Sequence, residues 1–92
     1  MFFGGWELDE FRGVKLPQKV ASAFTAVTGE LVGADYQPIV YLGKQAVNGT
    51  NYCLLAVQKL VTANAEKRLV KMVINEAPDG TASLVSITGF AI

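Results

Sequence analysis

The side chains able to carry out chemistry are few, and their types exclude most reactions before any fold is considered. The 92-residue chain has no histidine and one cysteine, Cys53. A thiol nucleophile needs a neighbouring base, and without an imidazole a Cys–His pair cannot be assembled within the chain. A structural zinc site draws four ligands mainly from Cys and His, so the same inventory predicts no metal. Glu7, Asp9 and Glu10 crowd together near the start, but no periodic element flanks them to fix the spacing that acid–base work demands. Gly4-Gly5 and Gly43 do not form the glycine patterns that cradle phosphates, so no nucleotide and no cofactor is expected. The expectation is a protein that binds and does not catalyse.

Three segments have no evident core role and are the candidates for that binding: Phe2-Phe3-Gly4-Gly5, Gln45-Ala46-Val47-Asn48-Gly49, and Ala77-Pro78-Asp79-Gly80. The elements that must position them follow from periodicity. Residues 1–15 mix aromatic, charged and glycine residues without a sustained period and read as an N-terminal arm, ordered at most at its far end. From Pro17 onward, Val20, Phe24, Val27 and Leu31 recur on one helical stripe, with Gly33 as the stop. The helix end is expected between Thr28 and Val32.

Four strands follow. Tyr36 to Gln45 is rich in β-branched and aromatic residues, with Pro38 placing its start at an edge or outside the sheet. Asn48-Gly49 is a hairpin signal, because both residues tolerate a positive φ. The next strands are expected near Tyr52 to Leu60, Arg68 to Asn75 and Ala82 to Ala91, with Ala77-Pro78-Asp79-Gly80 as the last turn. Short connections imply an antiparallel meander covered on one face by the helix: an α+β fold, one N-terminal helix packed on a sheet of four to five strands. In such a meander the first and third turns lie at the same end of the sheet.

Composition bounds the rest. With 51% apolar and 17% charged residues, the chain can bury a compact core, and its length predicts one domain over residues 1–92. Eight basic and eight acidic residues give zero formal net charge, so neither nucleic acid nor an anionic membrane surface is an expected partner. No run approaches the roughly 18 consecutive apolar residues of a membrane span. The start lacks the basic and apolar regions of a secretory signal. A cytoplasmic protein is the expectation, with Cys53, inside the apolar run Tyr52-Cys53-Leu54-Leu55, buried in the core.

Gln45-Ala46-Val47-Asn48-Gly49 has the Gln-x-Val-x-Gly form of the cystatin superfamily and runs on into Thr50-Asn51-Tyr52. With Gly4-Gly5 ahead of the helix, the Pro78 turn behind it and the ending Thr88-Gly89-Phe90, nearly the whole chain resembles the stefins, single-domain cystatins without disulfides. The resemblance implies a sheet wrapped around the helix and a reversible, non-covalent inhibitor of papain-like cysteine proteases. Gly4 or Gly5 would let the arm bend across the enzyme, Gln45 to Gly49 would cover the catalytic cysteine, and Pro78 would anchor the second loop. It also implies either a monomer or a domain-swapped dimer. The alternative is a cystatin-like protein-interaction module without inhibition, since one fold hosts many functions.

Overall fold

The computed structural model describes residues 2–3, 6–7, 15–62 and 64–89. Two short strands, β1 (Phe2–Phe3) and β2 (Trp6–Glu7), pair antiparallel with Phe2 opposite Glu7 and Phe3 opposite Trp6. Thus part of the segment expected to be a featureless arm carries a small ladder of its own. A helix, α1 (Gln18–Thr28), follows. Then β3 (Ala34–Val47), β4 (Gly49–Leu60), β5 (Lys67–Glu76) and β6 (Ala82–Gly89) form a four-stranded antiparallel sheet in sequence order. One helix packed on an antiparallel sheet gives the α+β arrangement expected from the periodicity.

An 11-residue helix is marginal in water on its own, so tertiary burial must sustain it. Val20, Ala23, Phe24 and Val27 supply the buried stripe, and full burial of a valine or phenylalanine side chain contributes on the order of 1.5–3 kcal/mol. Pro17 caps the helix and is not its first residue: its φ of −53° and ψ of 146° are extended, while its carbonyl accepts the first intrahelical bond from Ala21 N at 2.9 Å. At the other end the chain tightens through bonds from Glu30 N to Val27 O and Leu31 N to Thr28 O. Gly33, at φ +90°, then turns it into β3. Leu31 lies past the helix yet packs against the core, so the apolar stripe outlasts the element that defined it.

The helix lies over β5 and β6, and its stripe meets Tyr52, Leu54 and Ala56 of β4 and Val70, Met72 and Ile74 of β5. Strand alternation sends the intervening residues to the opposite face. Cys53, between Tyr52 and Leu54, is accordingly half-buried on the side away from the helix and not in the core. Its apolar neighbours in sequence had suggested burial, but they belong to two faces.

Strand β3 forms an edge of the four-stranded sheet, and three features blunt it. Pro38 lies within the strand, opposite Ala56. Register shifts then leave Ile39 and Leu42 without a direct partner on β4. Each bulge inserts one residue and resets which side chains face the helix. The second one places Gln45 and Val47 on the face of Asn51 and Cys53, and Lys44 on the face of Tyr52. Strand β6 has a comparable shift at Val85.

Candidate functional site

Strands β3 and β4 meet through a single residue: Val47 pairs with Gly49, and Asn48 forms the bend between them. Of this pair only Gly49 takes a positive φ, +94°, so the turn is not the two-residue type in which Asn48 would share that conformation. Gly49 is required for a second reason. A Cβ there would overlap the Glu76 carbonyl oxygen and lie 3.0 Å from Ala77 Cα. Gln45, Ala46, Val47 and Asn48 are all exposed, and Val47 keeps 46% of its surface in water at the tip. An apolar side chain held there gains by leaving water against another surface.

The second turn joins β5 to β6 over residues 77–81. Ala77 N donates to Thr81 O at 2.8 Å and Gly80 N to Ala77 O at 2.8 Å, while Gly80 reverses the chain at φ +90°. The Asp79 carboxylate accepts from Thr81 N at 2.9 Å, which holds its pKa below the usual carboxylate range. Pro78 is exposed at the head of this turn. Both connections lie at one end of the sheet, and the close approach of Gly49 to Glu76 and Ala77 puts them in contact. Gln45, Ala46, Val47, Asn48, Gly49 and Pro78 therefore belong to one continuous edge. Gly4 and Gly5 lie outside the described residues.

Side chains behind the edge tie the strands together on both faces. On the outer face Asn75 Nδ2 donates to Asn51 Oδ1 at 3.0 Å, and Asn51 Nδ2 donates to Gln45 Oε1 at 3.3 Å. On the helix face the Tyr52 hydroxyl donates to Glu76 Oε1 at 3.0 Å. Burial of the Tyr52 ring, with the Glu76 carboxylate beside its hydroxyl, raises the tyrosine pKa. Tyr41 meets Tyr52 edge-on, with ring centroids 6.3 Å apart, a favoured aromatic geometry. None of Asn51, Asn75 and Glu76 was a sequence candidate: the hairpin places Asn51 opposite Gln45, but Asn75 and Glu76 depend on the β4–β5 register.

Below the edge, Leu42, Gly43, Lys44, Gln45, Asn51, Cys53 and Val73 line a shallow hollow of about 270 Å³ on the outer face. Among the described residues no group of three or more His, Cys, Asp or Glu side chains could hold a metal ion. No described helix is long and apolar enough to cross a membrane. No family model, curated protein or solved structure matches the chain.

Proposed function

We propose that the chain is a reversible, non-covalent inhibitor of papain-like cysteine proteases, and that the edge formed by Gln45 to Gly49 and the Pro78 turn enters the protease cleft. The observation that carries this reading is the contact between the two connections. It joins a connection with an exposed valine to one with an exposed proline through the approach of Gly49 to Glu76 and Ala77. An edge of this kind supports the reading, since the resemblance to the stefins implies a composite wedge. Inhibition of this kind is steric: the hairpin fills the cleft without offering a peptide bond in attack geometry. Gly4 or Gly5 would let the preceding residues cross the enzyme surface, because a glycine backbone can approach closely without a side-chain clash.

A second reading, an interaction module of cystatin-like fold that does not inhibit, is favoured by one feature. Phe2–Phe3 is paired with Trp6–Glu7 and lies near β5, so the segment that would reach into the non-primed pockets has an intramolecular partner. Under the inhibitor reading this ladder opens on binding, at a cost in affinity.

Titration of the chain into active-site-titrated papain separates the two. The expected result is stoichiometric loss of peptidase activity, weakened by at least about tenfold in Val47→Asp, since a carboxylate at the tip is desolvated on entering the cleft. A Gly5→Trp variant tests the N-terminal part in the same assay. A folded chain that leaves papain and its lysosomal relatives active at micromolar concentration would sink the inhibitor reading in favour of the module.

A further inference from the structure

We infer that Asn51 and Asn75 are positioning residues: with Gln45 they form a transverse amide row that fixes the Val47 hairpin in height and tilt against the Pro78 turn. The inference rests on the inhibitor reading for its binding consequence, although the geometry it describes belongs to the free protein.

The three side chains sit in register on three neighbouring strands, Gln45 opposite Asn51 and Asn51 opposite Asn75. They form the penultimate rung of the β4–β5 ladder, whose final pair is Thr50 with Glu76. Beyond it the hairpin residues Ala46 to Gly49 have no further partner on β5, and a two-stranded extension is free to swing about its base. The amide row grips that base on the outer face, where Asn75 donates to Asn51 and Asn51 donates to Gln45. On the opposite face the Tyr52 hydroxyl grips Glu76. Between them Gly49 rests on the Glu76 and Ala77 backbone. The base of the hairpin is thus braced on both faces of the sheet. The bulge at Leu42 is what allows this, because without it Gln45 would face the helix side.

The row acts on preorganisation and not on contact. If its loss lets the hairpin sample other tilts, only the competent fraction of molecules can dock, and association slows in proportion to that fraction while dissociation stays unchanged. A residue that touched the enzyme would change dissociation instead.

Asparagine amides offer a specific rescue, since each carries a donor and an acceptor end. Asn75→Leu breaks the row. Asn75→Asp removes the donor but keeps an acceptor, so the row can run in reverse, with Gln45 Nε2 donating to Asn51 Oδ1 and Asn51 Nδ2 donating to the new carboxylate. The experiment measures amide hydrogen exchange at Val47 and Gly49 in the free protein, and association and dissociation rate constants with active-site-titrated papain. Asn75→Leu is expected to speed exchange at the hairpin and to slow association by about fivefold, as a competent fraction near one in five requires, with dissociation within twofold of the parent. Asn75→Asp is expected to restore both. Unchanged hairpin exchange in Asn75→Leu, or an Asn75→Asp variant as impaired as Asn75→Leu, would overturn the inference whatever the protease does. A faster dissociation with unchanged association would overturn it too, by making Asn75 a contact residue. If the parent fails to bind papain while Asn75→Leu still loosens the hairpin, the inhibitor reading falls and the positioning role stands.

Discussion

The two ends of the sheet are held by polar rows of similar design and opposite surroundings. At the hairpin end the amides of Gln45, Asn51 and Asn75 run across β3, β4 and β5 on the outer face. At the other end, on the helix face, Gln58 Nε2 donates to the Tyr36 hydroxyl at 2.8 Å and Arg68 Nε donates to Gln58 Oε1 at 2.6 Å, again across β3, β4 and β5. Gln58 retains only 7% of its surface exposure, whereas Gln45 is open to water. A buried amide with both ends bonded must keep its partners or leave unsatisfied polar atoms, so that row bears on stability. The hairpin-end row opens to water at Gln45, where its bond can be exchanged for one to water at little cost, so the value of the row lies in geometry. The molecule thus has one end built to stay folded and one built to hold a shape.

Breaking the buried row should give the largest effect. Gln58→Ala leaves the Tyr36 hydroxyl and the Arg68 Nε without their partner and empties the buried space that the Gln58 side chain fills between them. A loss of about 3 kcal/mol is expected, read as a shift in the urea midpoint at unchanged slope. Papain binding by the folded fraction should not change. If binding weakened as much as stability, the division between the two ends would be wrong.

Gly49→Ala tests the other end. The new methyl group meets the Glu76 carbonyl at a backbone φ of +94°, and a non-glycine residue in that region costs roughly 1–3 kcal/mol. The overlap can be relieved only by moving the hairpin off Ala77, so stability should fall by about 2 kcal/mol while inhibition falls much further. Equal losses in both would mean that the contact serves the fold and not the edge.

How much of this was legible in the sequence depends on the residue. The helix stripe, the two connections and their common end follow from period and turn chemistry, because side-chain alternation and Gly, Pro and Asn preferences are local. Two other features are not local. Cys53 was misplaced because its neighbours Tyr52 and Leu54 face the helix and it does not, and only a register tells the two faces apart. The bulges at Ile39 and Leu42 carry no signature of their own in the sequence, yet the one at Leu42 lets Gln45 share the outer face with Asn51 while Tyr41 stays on the helix face. Gly49 looked like half of a turn dipeptide. Its larger role, making room for Glu76 and Ala77, needs a strand 27 residues away along the chain, from 49 to 76.

A smaller effect is expected at Tyr52, which joins the hairpin end to the core. Its pKa is raised in the folded protein by burial and by Glu76. For an acid raised on folding, the stabilisation is complete below the unfolded value of about 10 and is lost as the pH rises through the folded one. Stability should therefore decline in strongly alkaline solution. Tyr52→Phe should remove that decline, at a constant loss of about 1 kcal/mol for the hydrogen bond. A parent whose urea midpoint is flat between pH 9 and about 11 would show that the Tyr52 hydroxyl is not held in solution in the buried, Glu76-bonded setting described.

The smallest effect sharpens the comparison most, because it loosens one half of the edge alone. The Asp79 carboxylate, bonded to Thr81 N, has a pKa below the ordinary value of about 3.9. For a carboxyl lowered on folding, the contribution to the turn is present above the unfolded value and is lost as the pH falls through the folded one. The amide row contains no titrating group, so acid should open the Pro78 turn and leave the base of the hairpin closed. Amide exchange corrected for its intrinsic pH dependence would read this residue by residue. Protection at Thr81 should fall at low pH in the parent and be low at every pH in Asp79→Ala, while protection at Val47 and Gly49 holds in both. If the hairpin loosens in step with the turn, the contact of Gly49 with Glu76 and Ala77 governs the edge, and the amide row is secondary to it.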